Sequence, residues 1–95
     1  MIHNIADITG NGTALPLVAG GVRTPANWVL IVAPAANASS VRFGDSTTSS
    51  TSGVVIPKGT SLLTPATSNA ESLDLSQLYV LVANSDTVSV IYGKT

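Results

Sequence analysis

Residues 28–33, Trp-Val-Leu-Ile-Val-Ala, carry an apolar side chain at every position and are followed directly by Pro34. Successive side chains of a β-strand point to opposite faces, so a strand here is apolar on both faces. A strand with one face in water would alternate between apolar and polar residues instead. We therefore predict a central strand over residues 27–33 that is covered on both faces. The second cover would be either another sheet or a neighbouring subunit.

The rest of the chain favours the same class of structure. No window of a dozen residues keeps apolar side chains at helical spacing without a proline, a glycine or a Ser/Thr cluster breaking it. Short runs of β-branched and aromatic residues are separated by turn residues, which is typical of an all-β sandwich or barrel. We predict one all-β domain over residues 1–95, an antiparallel β-sandwich or barrel of about eight short strands, with a jelly-roll-like arrangement as one form of it. The predicted strands fall at residues 2–9, 13–18, 27–33, 40–44, 53–56, 60–63, 78–83 and 87–92.

Turn residues suggest how neighbouring strands connect. At residues 57–59, Pro-Lys-Gly supplies a fixed φ and then a left-handed position, so we predict a hairpin between the flanking strands. We predict a second, final hairpin across Asn-Ser-Asp at residues 84–86. Pro16 lacks a backbone N–H, which makes the strand at residues 13–18 an edge strand.

The first strand has a weaker pattern. Ile2, Ile5 and Ile8 are three residues apart, out of phase with strand alternation, so residues 1–12 are a candidate N-terminal arm that pairs with another molecule. We expect His3, the single histidine, to be an exposed residue of that arm rather than a metal ligand. No basic stretch precedes an apolar one, so we predict no signal peptide, and no apolar run reaches the roughly 20 residues of a membrane span.

Composition limits how this domain can be stabilised. The chain has 95 residues, no cysteine and only 9% charged residues, against about 25% in ordinary soluble domains. A domain this small has a thin core that no disulfide can supplement, so we expect it to bury further surface against copies of itself or a partner. The four basic residues are scattered, which argues against nucleic acid as a partner.

The segment Gly44-Asp45-Ser46 could be taken for a hydrolase nucleophile. A catalytic serine needs a histidine base and an oxyanion site, usually at a strand-to-helix turn, and this chain offers only His3 and no helix after Ser46. We predict no catalytic residues, with Asp45 capping a turn that leads into a Ser/Thr-rich loop. Asp45 and Asp86 both lie at predicted turns and leave a structural calcium ion as an alternative, but our prediction is no metal and no cofactor.

Several segments together resemble small structural β-modules from the virions of tailed bacteriophages, of the capsid decoration (cement) protein type. The shared features are an apolar strand bearing tryptophan, a Gly-x-Ser strand end before a Ser/Thr-rich loop, an Ile-Pro-x-Gly-x-Ser-Leu turn, an Asp-Leu-Ser segment and a final Asp-x-Val-Ser-Val-x-Tyr-Gly. They comprise Asn27, Trp28, Val41, Gly44, Asp45, Ser46, Gly53, Ile56, Pro57, Gly59, Ser61, Leu62, Leu73, Asp74, Leu75, Ser76, Tyr79, Val80, Asp86, Val88, Ser89, Val90 and Tyr92.

This resemblance implies a non-enzymatic virion protein, made in the host cytoplasm and placed on the outer capsid surface. As a homo-oligomer, a trimer, it would bind the major capsid protein and stabilise contacts between capsid subunits. No nucleic acid and no membrane would be partners. One alternative keeps the protein in the virion but places it in the tail, the baseplate or the head–tail junction. Another is a carbohydrate-binding adhesion module that stacks sugars on its aromatic residues.

The interface would draw on the apolar arm, the central strand and exposed aromatic or basic side chains. For Trp28 itself we expect a core position in preference to a sugar platform, because it begins the most apolar strand. The predicted interface residues are Ile2, Ile5, Ile8, Trp28, Leu30, Val32, Arg42, Tyr79 and Tyr92.

Overall fold

The structure, a computed structural model, describes residues 1–18, 21–64 and 73–94. Within them it has ten strands, one short 3-10 helix and no α-helix, which confirms the all-β class. The strands are β1 (Ile2–Thr9), β2 (Ala14–Pro16), β3 (Pro25–Ala26), β4 (Trp28–Ala33), β5 (Val41–Gly44), β6 (Val54–Ile56), β7 (Thr60–Leu63), β8 (Leu73–Asp74), β9 (Tyr79–Leu81) and β10 (Thr87–Gly93), and the 3-10 helix covers Leu75–Gln77. Each of the eight predicted strands is present, and the paired two-residue strands β3 and β8 are additional.

Two four-stranded antiparallel sheets form the body of the domain. Sheet A has the order β1-β10-β4-β7 and sheet B the order β2-β9-β5-β6. When the eight longer strands are counted in chain order, the two sheets contain strands 1-8-3-6 and 2-7-4-5, which is the jelly-roll arrangement. Pro16 lies in β2, at the edge of sheet B, as predicted.

The core lies between the two sheets. From β4, the side chains of Val29, Ile31 and Ala33 point toward sheet B and have no exposed surface. The other buried apolar residues of this cluster are Leu17, Ala26, Val41, Phe43, Ile56, Leu75, Val80, Val82, Val88 and Val90. β4 lies between β10 and β7, so its predicted central position is confirmed.

The predicted hairpin around residues 57–59 is wrong, although its turn is correct. The N–H of Thr60 donates to the carbonyl of Pro57 at 3.1 Å, and Gly59 takes the left-handed φ of 82°. However, β6 pairs with β5 in sheet B, whereas β7 pairs with β4 in sheet A. The turn is therefore an arch that carries the chain from one sheet to the other. Turn chemistry fixes a chain reversal but does not fix which strands then pair.

The predicted final hairpin is also an arch. β9 belongs to sheet B and β10 to sheet A, and between them the N–H of Asp86 donates to the carbonyl of Ala83 at 3.0 Å. The buried carboxylate of Asp86 accepts hydrogen bonds from the N–H groups of Ala38 at 2.9 Å and Ser39 at 3.0 Å. This side chain fastens the arch to the connection between β4 and β5, which also crosses between the sheets.

Asn37 makes a second connection at the same place. Its side-chain amide donates to the carbonyl of Thr87 at 2.8 Å, and its side-chain carbonyl accepts from the N–H of Thr87 at 3.0 Å. This pair of bonds resembles one step of a strand ladder and satisfies the backbone at the start of β10. Asn37 is buried, so its polar groups depend on these bonds.

Residues 2–9 do not form a free arm in this structure. They are β1, which pairs with β10 of the same chain from Ile2 opposite Gly93 to Thr9 opposite Thr87. The register shifts between Ile5 and Ile8, and this bulge adds the one residue needed to turn both side chains inward. The three-residue spacing between Ile5 and Ile8 is the sequence signature of that bulge.

His3 is not an exposed arm residue either. It lies in β1 opposite Tyr92, and the two rings stack with centroids 5.1 Å apart at an interplanar angle of 17°. The histidine is half-buried in this position. Pairing of β1 with β10 brings the two rings together, a long-range contact between the two ends of the chain.

Candidate functional site

The side of sheet A that points away from sheet B is an exposed surface with several large apolar side chains. Strand alternation places Trp28, Leu30 and Val32 on this side of β4, opposite to the buried side chains. The outer face of sheet A comprises Ile2, Asn4, Ala6, Asp7, Thr9, Trp28, Leu30, Val32, Ser61, Leu63, Thr87, Ser89, Ile91 and Gly93.

A row of large apolar side chains crosses three strands of this face. Leu30 is directly opposite Ile91 on one side and directly opposite Leu63 on the other. Side chains in directly opposed positions are close enough to pack against each other. Leu63 nevertheless keeps 61% of its surface exposed, and Ile2 at the far edge of the sheet keeps 64%. The row is therefore continuous, but it is only partly shielded from water by its own neighbours.

The position of Trp28 depends on a glycine. Its neighbour across the strands is Gly93, and a Cβ at position 93 would overlap the Nε1 and Cε2 atoms of the indole. The indole lies across Gly93, where no side chain separates it from the backbone. The expected core position of Trp28 is wrong, because its place in β4 has the same phase as Leu30 rather than that of the buried Ile31.

Two shallow depressions flank the pair formed by Leu30 and Ile91. One, with a volume of about 370 Å³, lies between this pair, Trp28, Leu63 and Thr64. The other, of about 350 Å³, extends from the same pair to the bulge of β1. Because both depressions are lined by Leu30 and Ile91, these two side chains form the wall between them.

Charge is sparse on this face. Among its described residues Asp7, at the bulge of the edge strand β1, is the one charged side chain, and it lines the second depression. Asn4, Ser61 and Ser89 supply neutral polar groups near the same end. The described residues that line its two depressions are residues of sheet A and Thr64.

The outer face of sheet B is chemically different. Tyr79 and Leu81 point outward from β9, and Arg42 points outward from the neighbouring β5. The guanidinium Nη1 of Arg42 donates to the carbonyl of Gly53 at 3.1 Å, so the arginine lies along its own sheet. Val55 on the next strand is 44% exposed. This face therefore combines a cation, a phenol and a few apolar groups.

The structure gathers some of the predicted interface residues and separates others. Ile2, Trp28, Leu30 and Val32 lie together on the outer face of sheet A, Arg42 and Tyr79 lie on the outer face of sheet B, and Ile5, Ile8 and Tyr92 point inward and pack against the core. The sequence-based prediction missed Ile91 and Leu63. Strand alternation is the signal that could have found them. Ile91 follows Val90 and Leu63 follows Leu62, so each points to the opposite, less buried side of its strand.

The segment Gly44-Asp45-Ser46 forms a capped turn. The carboxylate of Asp45 accepts hydrogen bonds from the Thr47 hydroxyl at 2.6 Å and the Thr47 N–H at 2.8 Å. These bonds stabilise the ionised form and hold the pKa of Asp45 below its usual value. Ser46 is exposed in this loop of sheet B, whereas His3 stacks on Tyr92 in sheet A. The capping role predicted for Asp45 is confirmed.

The carboxylates at the predicted turns each bind backbone or hydroxyl groups nearby. Asp86 accepts from Ala38 and Ser39, and Asp45 accepts from Thr47. Across residues 1–18, 21–64 and 73–94, no three His, Asp or Glu side chains come together as ligands for a metal ion. No helix within these ranges has the length and apolar character that a membrane span requires.

Comparison with known proteins adds no further constraint on this surface. No protein-family model matches the chain, and no curated protein and no solved structure matches it.

Proposed function

We propose that this protein is a non-enzymatic structural component of a tailed-bacteriophage virion. It binds as a homo-oligomer to the outer shell, as a decoration protein does, and stabilises contacts between major capsid subunits. The observation that carries the proposal is the outer face of sheet A, where Trp28, Leu30 and Leu63 form an apolar surface with a single charged neighbour.

An exposed face of this kind favours assembly. Contiguous apolar patches on monomeric proteins rarely exceed a few hundred Å², and larger ones mark sites of protein–protein contact. Only 9% of the residues in this chain are charged, so charge repulsion gives a lone subunit little protection from association. Burial in a stable assembly would remove both liabilities.

The fold is compatible with the proposal but does not assign it. Jelly rolls occur in viral capsid proteins and in lectins, and one fold hosts many functions. The resemblance to virion modules adds support at the level of motifs, from the tryptophan-bearing strand to the last strand.

The two outer faces suggest a division of roles. The outer face of sheet A is suited to contact between copies, because it is apolar and nearly free of charge. The outer face of sheet B carries Arg42 and Tyr79, two residue types that are enriched in interfaces between different proteins. We assign this second face to the capsid shell, because residues 2–9, the candidate arm, already pair with β10 of the same chain.

Reconstitution on capsids that lack the protein tests the proposal. Purified protein should bind to a fixed number of sites and raise the temperature at which the capsids release their contents. The double variant Arg42→Ala/Tyr79→Ala should reduce occupancy at least tenfold, with Lys58→Ala in the exposed arch as the control. Failure of the wild-type protein to bind any capsid surface would contradict the proposal. A few copies per virion, instead of hundreds, would place it in the tail.

One observation favours a second candidate, carbohydrate binding. The indole of Trp28 contacts Gly93 beside a depression of about 370 Å³, a place in which a sugar could stack on the ring. The three aromatic residues considered for stacking do not form one platform, because Tyr79 lies on sheet B and Tyr92 stacks on His3. A glycan array should therefore show binding that Trp28→Ala abolishes and Tyr79→Ala preserves, and an array without hits eliminates this candidate.

A further inference from the structure

We infer that the outer face of sheet A is the surface on which a second copy of this chain docks, with the same face of that copy against it. The inference rests on the proposed function for the expectation that the protein works as a homo-oligomer. It adds which surface joins the copies and which side chains dominate the contact. Because the same face meets itself, the contact makes a two-fold dimer, in place of the trimer that the resemblance implies.

The sequences of the undescribed segments contain no large apolar side chain that would match this face. Residues 19–20 are Ala-Gly, residues 65–72 are Pro-Ala-Thr-Ser-Asn-Ala-Glu-Ser, and residue 95 is threonine. None of them is a leucine, isoleucine, valine, methionine or aromatic residue. The large apolar groups that match Trp28, Leu30 and Leu63 in chemistry are present on the same face of another copy.

The shape of the face allows it to fit against the same face of another copy. The pair of Leu30 and Ile91 forms a wall with a depression on each side, of about 370 and 350 Å³. When two such faces meet, the wall of one copy can enter a depression of the other, and the converse contact forms by symmetry. A contact between identical patches needs this self-complementarity.

Sheet A supplies about half of a standard contact area from its strands alone. Its strands of eight, seven, six and four residues, spaced about 4.8 Å apart with a rise of about 3.3 Å per residue, give a plan area of about 400 Å². A standard interface buries about 800 Å² per partner, so the contact between two copies includes the loops around the sheet.

The charge distribution favours a copy over other partners. The face holds no described cation, which a nucleic acid or an acidic protein would require, and its one carboxylate, Asp7, lies on the edge strand. Two copies therefore meet without like charges at the centre. Leu30 then lies near the centre of the contact, where large buried residues contribute most to binding, and Trp28 lies at the end of the sheet, opposite Gly93.

The test measures self-association of the purified protein without any capsid present. Sedimentation velocity across a dilution series should show an oligomer that dissociates as the protein is diluted. Trp28 is the only tryptophan in the chain, so its fluorescence reports on this face directly. Its emission should shift to longer wavelength over the same concentration range, because dissociation exposes the indole to water.

Substitution on the two faces provides the matched comparison. Leu63→Glu introduces a carboxylate at a side chain that is 61% exposed on an edge strand, so the fold should tolerate it. It should raise the dissociation constant roughly 30-fold or more, the effect of losing a hot-spot contact of about 2 kcal/mol. Val55→Glu makes the same change on the outer face of sheet B, where 44% of the side chain is exposed, and should leave self-association unchanged. Circular dichroism of both variants verifies the fold.

Two outcomes would overturn the inference. One is a wild-type protein that stays monomeric throughout the dilution series, and the other is an oligomer that Val55→Glu disrupts and Leu63→Glu does not. Capsid binding is measured separately on the same variants. A protein that oligomerises through sheet A but binds no capsid supports this inference and contradicts the proposed function. A protein that binds capsids but stays monomeric supports capsid binding and contradicts this inference.

Discussion

The two sides of β4 have nearly the same chemistry and opposite environments. On one side, Val29 and Ile31 have no exposed surface because sheet B covers them. On the other side, Trp28, Leu30 and Val32 remain partly exposed, with only their neighbours on sheet A around them. Both sides are as apolar as a protein core, but the described part of the chain covers one of them.

The difference shows what an apolar pattern states and what it omits. A strand that is apolar on both faces requires two covers, since exposing such side chains is unfavourable by about 25 cal/mol per Å². The pattern does not say where either cover comes from. Here the jelly-roll connections bring sheet B onto one side, and the proposed self-association supplies the other.

The largest expected effect is a difference in stability between the two sides. Ile31→Ala should lower the free energy of unfolding by about 2–5 kcal/mol, because it leaves a cavity among fully buried neighbours. Leu30→Ala should lower it by about 1 kcal/mol, since its side chain is already partly solvated. Chemical denaturation measures both, at a protein concentration low enough for the oligomer to dissociate, so that self-association does not contribute. Equal losses would mean that the two sides are covered alike.

The arch between β9 and β10 maintains the cover on the inner side. Asp86→Ala removes the acceptor for the N–H groups of Ala38 and Ser39 and should cost about 1–3 kcal/mol of unfolding free energy. Thermal denaturation measures the loss. Asp45→Ala is the control, because Asp45 caps an exposed turn and its loss should matter less. A smaller effect at Asp86 than at Asp45 would show that the arch does not hold the sheets together.

Gly93→Ala acts on the outer side alone. The added Cβ overlaps the indole of Trp28, which must move away from the backbone, at a cost of about 1 kcal/mol, the low end for overpacking. The ring can turn outward on an open face, so the fold should persist while the fluorescence of Trp28 changes. The inner core should be unaffected, which hydrogen exchange of the β4 and β5 amides can verify. Unchanged fluorescence would contradict the position of the ring.

Acid should have the smallest effect, and it involves neither face of β4. The carboxylate of Asp74 accepts from the N–H of Thr24 at 3.0 Å and from the hydroxyl of Ser76 at 2.8 Å, and these bonds lower its pKa in the folded state. A folded-state pKa below that of the unfolded chain stabilises the fold above about pH 4, and this contribution is lost as the pH falls below that value. The unfolding midpoint should therefore decrease as the pH is lowered below about 4, and it should decrease less steeply for Asp74→Asn. Parallel curves would remove Asp74 from the explanation.

Local features of the sequence were sufficient to predict where the strands lie along the chain and where several of them lie within the sheets. Alternation and turn residues located all eight longer strands, Pro16 marked an edge strand, and Asp45 was correctly predicted to cap its turn. Strand alternation, turns and caps depend on residues that are close in sequence, so a few neighbouring side chains are enough to predict them. Strand alternation also predicted that Leu30 and Val32 share one apolar side of β4, which is part of the candidate interaction surface.

The errors all concern contacts between distant parts of the chain. The turns at residues 57–59 and 84–86 look like hairpin turns, but each joins two different sheets. β1 has the pattern of an arm because its isoleucines are out of phase, and only the pairing with β10 shows the bulge that turns Ile5 and Ile8 to the same side. Trp28 was expected in the core, because residues 28–33 do not reveal which phase of the strand faces sheet B.

The sequence by itself determined the all-β class, the strand segments, the turns and the apolar character of both faces of β4. The tertiary structure decided which strands pair, which side of β4 faces the core, and that Trp28, Leu30, Leu63 and Ile91 share one outer face. The physical reason is that side-chain phase within a strand is a local property. The choice of partner depends on the total apolar surface buried by the whole chain, which no single segment contains.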